Sequence, residues 1–347
     1  MHLDYNGSNL KPFTAGEVIL QYAPKGDDSV PVTDKGVAAY VASTAANTVV
    51  EVTTETVTTD SYYGQYITEG AGSGVIVSSN DTGSYVLTCA HVIDGAAKIT
   101  VKLKDGTVYN AESYICDNES DVGIIKLNVK SLPVATIGNF EEVVVGEPVV
   151  AIGNPLGKLG GSVTSGIVSA LGRDIIIDGM TYHLLQTNAD INPGNSGGGL
   201  FNAKGELIGI VSAKSVGSNI EGIGYAIPIN DAVKIMTDLI EKGYVSGRVD
   251  LGLKLFEIQD EEDIRKWYKY YRFFTDYGVY IGAPFNNELQ TGDLLVAING
   301  TKVSALSDVT EILKDFDVGQ TVTVTISRIV DNKIRMYTYN ITLSEKK

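Results

Sequence analysis

The sequence predicts a mainly β protein of two domains, a large all-β unit followed by a smaller α+β unit, and three observations carry that prediction. From Gly72 to Ile227, short apolar runs alternate with Gly, Asn and Asp turn signals, as in an all-β barrel or sandwich. From Pro228 to Ile240, apolar residues fall at helical spacing, with Asn230 placed as an N-cap and Gly243 as a stop. Beyond it, Gly292–Gly300 reads as a strand ending in the Asn299-Gly300 turn, and Ser307–Leu313 as a helix capped by Ser307 or Asp308 with Glu311 in reach. With 347 residues the chain has room for both units.

Each element has its own local reason. Residues 1–34 are polar and rich in Gly, Asp and Pro, and read as an N-terminal arm or disordered start. Residues 35–46 form a short helix and Thr48–Val52 a strand. Thr58–Gly70 carries Tyr62, Tyr63 and Tyr66 on a strand or loop edge. Further strands are expected at Ser84–Thr88, Ala97–Leu103, Val122–Leu127, Pro148–Gly153, Leu207–Ser212 and Thr321–Ile326. The resulting organisation is an arm (1–34), an all-β domain (35–242), a linker (243–249) and a second domain (250–347). The aromatic run Trp267–Phe274 reads as a helix packed on the core of the second domain, with a surface for unfolded chains as the alternative. Glu257–Glu262 reads as a solvated acidic face.

Bulk properties exclude several classes. The formal net charge is −15 and the pI about 4.6, which disfavours nucleic acid, whose phosphates need a basic face. No stretch of eighteen apolar residues occurs, so no helix is expected to span a membrane. Met1-His2-Leu3-Asp4 lacks the basic and apolar regions of a signal peptide. Cys89 and Cys116 sit in apolar runs and read as two buried thiols, a disulfide between them being the less favoured alternative. Their spacing makes no zinc site, so no metal is expected. Gly153-Asn154-Pro155 and Gly160-Gly161 resemble phosphate loops only superficially, since no Gly-Lys-Ser/Thr follows. No cofactor is expected either.

The chemistry concentrates in Asn192-Pro193-Gly194-Asn195-Ser196-Gly197-Gly198-Gly199. Glycines around Ser196 permit positive φ, and a turn of that kind can aim the amides of Gly194 and Ser196, with Asn195 between them, at one point beside a hydroxyl. Upstream, His91 ends the apolar run Val86–Ala90, and Asp121 opens the run Val122–Leu127. A serine becomes a good nucleophile when an imidazole takes its proton and a carboxylate fixes the imidazole's tautomer. Each residue alone has an ordinary reading: a core histidine, a strand-edge Asp, a turn Ser. The order His, Asp, Ser, with these flanks, favours a triad. His2 is terminal, and His183 has no obvious partner.

The chain resembles the HtrA/Deg group of chymotrypsin-like serine proteases. The likeness runs over roughly residues 35–345, through Gly72–Val77, Thr88–Ile93, Ser120–Gly123, Gly146–Gly157, Gly161–Ser169 and the Ser196 loop. It implies a chymotrypsin-like double β-barrel followed by a PDZ domain. The implied function is a serine endopeptidase that degrades unfolded or damaged proteins outside the cytoplasm. The implied assembly is a homo-trimer or higher oligomer, for which Tyr62, Tyr63 and Tyr66 would be packing aromatics as the alternative to a strand or loop edge, meeting a membrane only through an anchor absent from this chain. His91 would be the base, Asp121 its orienting partner and Ser196 the nucleophile. The PDZ peptide-binding loop would fall at Asp250, Leu251, Gly252 and Leu253 and hold a peptide terminus while the peptide adds to a sheet edge. The specificity pocket would be formed by Asp190, Ile191, Ser212, Ala213 and Lys214. Asp190 raises the alternative of a basic preference, with Lys214 as a charge-cancelling partner, behind an aliphatic preference in which Ile191 lines the pocket. Two positions depart from the family: Gly199 where a Pro is usual, and Thr187–Pro193, which reads Thr-Asn-Ala-Asp-Ile-Asn-Pro. The rival readings are a peptide-binding chaperone or stress sensor with little turnover, and a dedicated processing protease.

Overall fold

Two curled sheets form the first unit. In the computed structural model, which describes residues 10–24, 36–60, 64–153, 162–177, 180–213, 222–268, 276–283, 288–331 and 333–347, the first sheet has seven strands. Their order is 108–110, 98–102, 49–60, 64–80, 83–89, 122–127 and 113–117. The two edge strands are consecutive in the chain, so the sheet curls until its edges lie side by side, with Ala111 N–H bonded to Ile99 O and Glu112 N–H to Lys126 O. Alternate residues fill the interior, among them Val50, Val52, Ile76, Val86, Ile99 and Leu127. The second sheet runs 207–212, 199–202, 148–153, 162–177, 180–187, 224–228 and closes because strand 224–228 pairs back onto 207–212. Its core includes Val149, Leu185, Leu200, Val211 and Ala226. The expected double barrel is therefore present.

Two features of this unit differ from expectation. Residues 10–24 are not a loose arm: they are bonded along the first unit. Lys11 N–H donates to Glu112 O, Ile19 N–H to Ser78 Oγ, and Gln21–Tyr22 pair in parallel with Thr136–Ile137. Lys126 supplies one cause, since its nearly buried ammonium takes Thr14 O as an acceptor at 3.1 Å. The helix Ile229–Lys242 starts after Pro228 rather than at an Asn230 cap, because Asn230 Oδ1 is taken by the amide of Phe140. It does stop at Gly243, which is left-handed (φ 81°) and donates to Leu239 O. The short helix at Val37–Ala45 lies where the sequence placed it.

The boundary between the compact units falls between Gly243 and Tyr244. Residues 244–249, expected as a linker, are tied into the second unit. Val249–Asp250 pair with Ser344–Glu345, and Gly247 N–H donates to Glu345. The second unit is an antiparallel sheet in the order 254–258, 278–283, 294–298, 321–330, 333–342. Asn299 (φ 47°) and Gly300 (φ 79°) make the expected tight hairpin turn. The helix Leu306–Leu313 begins after Ala305, and Asp308, in its first turn, reaches back to the amides of Ser304 and Ala305. Arg328 grips buried Asp293 with two bonds of 2.6 and 2.7 Å. Of the aromatic run, Trp267 and Tyr268 end the helix Glu261–Tyr268, and residues 269–275 lie outside the described residues. Neither Cys89 nor Cys116 is in a disulfide, so both are thiols. Cys116 is pushed up to about 12 by burial and then by the neighbouring Asp94 and Asp117.

Candidate active site

His91 sits on the one-turn helix Ala90–Ile93 that follows strand Gly83–Cys89, and Asp121 immediately precedes strand Val122–Leu127, which pairs with it. Asp121 is left-handed, φ 59°, a conformation Asp tolerates better than most residues. The fold holds it there from two sides, through Ala90 N–H to Asp121 O at 3.0 Å and His91 N–H to Asp121 Oδ1 at 3.0 Å. The carboxylate is buried and lies 2.8 and 2.9 Å from His91 Nδ1, which fixes the neutral ring's proton on Nδ1. Ser212 Oγ–H also donates to Asp121 Oδ2. These donors satisfy a charge whose burial would otherwise be costly.

The Ser196 loop begins with a turn over Asn192–Asn195. Asn195 N–H closes it on Asn192 O at 2.9 Å, and Gly194 has φ 96° at the third position, with Pro193 at the second. That is a type II turn, which calls for Pro and Gly at those places. Asn195 is thus corrected from the expected donor set, because its amide is committed to the turn. Among the described residues, the amides of Gly194 and Ser196 donate no hydrogen bond within the chain. The loop's carbonyls are tied back by a residue that sequence reasoning missed. Ser73 donates its amide to Ser196 O at 2.8 Å and its hydroxyl to Gly194 O at 2.7 Å, and its own carbonyl accepts from Thr88 Oγ1. Ser73 was visible only as the middle of a Gly-Ser-Gly, with nothing local to signal a contact so distant in sequence.

The structure brings His91, Asp121 and Ser196 into one network. Ser212 bonds Asp121, and the next amide, Ala213 N–H, donates to Ser196 Oγ at 3.1 Å. Gly72 marks how close the strands come, since a Cβ there would lie 2.6 Å from Val92 and 3.2 Å from Ser196 O. Among the described residues no hydrogen bond joins Ser196 Oγ to His91, so the hydroxyl is held on the Ala213 side. Cys89 Sγ lies within 4.8 Å of the His91 and Asp121 ligand atoms, but it is turned to Val211 O and the other two are bonded to each other, a polar network without a cation cage.

The expected pocket residues differ in burial and bonding. Asp190 is exposed, and its carbonyl accepts from Thr164 Oγ1. Its exposure leaves the carboxylate open to solvent, so burial does not demand a charge partner for it. Lys214 lies outside the described residues. Ser212 and Ala213 make their bonds to Asp121 and Ser196. Ile191 is half-buried, and a Cβ on Gly224 would lie 2.4 Å from its Cγ1, which fixes its position against that strand. Gly199, where a Pro is usual, packs under a ring: a Cβ there would meet Phe201 at 2.4 Å. His183 does have a partner, Asp174 at 2.9 Å, in an exposed pair. In the second unit, Leu251 and Leu253 are buried in the core, Gly252 is left-handed at φ 69°, and its amide donates to Asp250 Oδ1 at 2.8 Å.

Comparison with known proteins gives a consistent likeness. Residues 72–210 match the trypsin-like peptidase domain and residues 250–341 the PDZ domain. The chain is 35% identical over 289 residues to "Serine protease Do-like HtrB" of Bacillus subtilis, covering 79% of this chain and 62% of that protein. It is 34% identical to "Serine protease Do-like HtrA" of Lactobacillus helveticus, covering 79% of this chain and 70% of that one. It is 39% identical to "Probable periplasmic serine protease do/HhoA-like" of Haemophilus influenzae, covering 75% and 56%. The chain thus spans 56–70% of the length of these relatives. Among solved structures, "HtrA-type protease AlgW with decapeptide" superposes with a TM-score of 0.57 at 29% identity, covering 89% of this chain and 99% of that one. The serine endoprotease from Yersinia pestis gives 0.55 at 30% identity, covering 92% and 100%.

Proposed function

The chain belongs to the Do-like HtrA family of serine proteases, and on that premise we propose that it is a serine endopeptidase acting on unfolded or damaged polypeptides outside the cytoplasm. Ser196 Oγ attacks the scissile carbonyl. His91 takes the hydroxyl proton on Nε2 and returns it to the leaving amine, and Asp121 holds the imidazole and stabilises its charged form. The amides of Gly194 and Ser196 receive the oxyanion, as donors that need no rearrangement when charge develops. Before attack, the Ser196 hydroxyl, whose oxygen accepts from the Ala213 amide, must donate its proton towards His91 Nε2. Hydrogen bonds of this kind often tighten only when substrate is bound.

The observation that carries this reading is the single network from Asp121 through Ser212 and Ala213 to Ser196, lying beside two uncommitted amides. The location outside the cytoplasm is supported by the name of the Haemophilus relative. Peptide binding by residues 250–347 is supported by the domain match and by the decapeptide in a structural neighbour. A homo-trimer or higher oligomer is the assembly we propose, on the family resemblance. An aliphatic side chain before the scissile bond is favoured over a basic one, since Ala189 and Ile191 are buried or half-buried and Asp190 is exposed. Peptide-library profiling tests that preference, and dominant cleavage after Lys or Arg would overturn it.

Casein digestion by the wild type and by Ser196→Ala tests the activity. Digestion by the wild type alone is expected. Equal digestion by both would overturn the triad, and digestion by neither would favour a binding protein with little turnover.

A further inference from the structure

We propose that the second unit selects internal extended segments of a polypeptide over free C-terminal carboxylates, because Asp250 already occupies the loop where such a carboxylate would bind. The inference rests on the peptide-binding role proposed for this unit. Among the described residues, strand Lys254–Ile258 is the edge of its sheet, paired on one side with Gly278–Ala283 and tied to the start of the helix Leu306–Leu313 through the Leu306 amide and Glu257. An extended segment can add to such an edge through main-chain hydrogen bonds, whatever its termini. Preference for a chain end comes from the preceding loop, whose amides would hold the terminal carboxylate.

Here that loop already carries a carboxylate of its own chain. Gly252 N–H, at the loop's apex, donates to Asp250 Oδ1 at 2.8 Å. The buried side chains of Leu251 and Leu253 anchor the loop on both sides of that amide. A peptide carboxylate would compete for the same donor and meet the full charge of Asp250 at close range. The charges of the edge strand and of the facing helix do not offset this. From Asp250 to Ile258 the acids Asp250 and Glu257 stand against Lys254, and Glu257 is itself bonded to the Leu306 amide. On the facing helix, Glu311 is paired with Lys314, and Asp308 caps the helix start. An amide-terminated or internal segment meets none of these penalties and keeps the whole edge strand.

The test uses the full chain carrying Ser196→Ala, so that the probe is not cut. The probe is a ten-residue peptide with apolar residues at alternate positions, made as the free acid and as the C-terminal amide. With Asp250 in place, the amide binds at least as tightly as the acid. Asp250→Asn keeps the acceptor for Gly252 N–H and removes the charge, and it strengthens binding of the acid by roughly tenfold while leaving the amide unchanged. Asp250→Ala frees the amide and strengthens the acid further. An acid bound about tenfold more tightly than the amide by the Asp250 chain would overturn the proposal. So would Asp250→Ala weakening both forms alike, the outcome if Asp250 only shapes the turn. Binding of neither form by any of the three chains would overturn the peptide-binding role itself.

Discussion

Replacing Gly194 with alanine tests how the oxyanion site is built. Gly194 stands at φ 96° in the third position of a type II turn, where a side chain costs about 1–3 kcal/mol. The turn has an inexpensive escape. Flipping its central peptide gives a type I turn, which keeps Pro193 at the second position and the bond from Asn195 N–H to Asn192 O. The flip relieves the strain but carries the residue-194 amide to the opposite side of the turn. One of two oxyanion donors is then lost, which is worth about 10²–10³ in kcat, or about 3–4 kcal/mol. The expected Gly194→Ala enzyme is therefore nearly as stable as wild type and about a hundredfold slower, with KM little changed. A fluorogenic peptide gives kcat and KM, and a peptidyl boronate, whose tetrahedral adduct places an oxygen at the two amides, gives an independent reading. If kcat and boronate affinity both stay within about threefold of wild type, the assignment of Gly194 is wrong.

Four further outcomes are expected, two at the catalytic network and two elsewhere in the chain. Asp121→Asn keeps the hydrogen-bonding shape but loses the correct imidazole tautomer, and kcat falls by about 10⁴ in the peptide assay with little change in thermal midpoint. Ser73→Ala frees the Gly194 carbonyl that Ser73 Oγ now holds, and kcat falls about tenfold at unchanged KM, as a bond of about 1–1.5 kcal/mol requires. Cys116, with an ordinary value of 9.0 and a folded value near 12, keeps its proton in the folded state while the unfolded thiol loses its own. Stability to urea therefore falls as pH rises above 9, and Cys116→Ser removes that part of the loss. Arg328→Ala leaves Asp293 buried without its partner and destabilises the second unit by about 3–5 kcal/mol, seen as a lower calorimetric transition while cleavage of a small peptide by the first unit is unchanged.

Much of the fold was legible because its signals are local. The strands Val122–Leu127, Pro148–Gly153 and Leu207–Ser212 lie where the apolar runs placed them, and Gly243 and Asn299-Gly300 act where glycine chemistry requires. What the sequence hid was set by distant partners. Asn230 looks like a helix cap, but Phe140, remote in the chain, takes its side-chain oxygen. Residues 10–24 look featureless because their order depends on the backbone acceptor they give to Lys126 and on pairing with Thr136–Ile137. Ser73 has no local signature at all. For Asp190 the spacing from Ser196 is local information, while its exposure is decided by how the neighbouring strands pack.

The two halves of the catalytic site are prepared to different degrees, and that asymmetry has a physical basis. The oxyanion half is set by backbone. Gly194 is fixed by its turn, and the carbonyls of Gly194 and Ser196 are both bonded to Ser73, so its two amides are aimed before substrate arrives. The nucleophile half is set by a side chain, whose oxygen accepts from the Ala213 amide and which among the described residues has no bond to His91. Changing a serine rotamer is a far smaller event than flipping a peptide, and substrate entering beside Ala213 would compete for the amide that now holds the hydroxyl. If the resting bond to Ala213 limits activity, peptides that lie along residues 212–213 should raise kcat and not merely lower KM. A set of peptide substrates lengthened on the side before the scissile bond would show it, and a KM effect alone would leave the bond with no part in the rate.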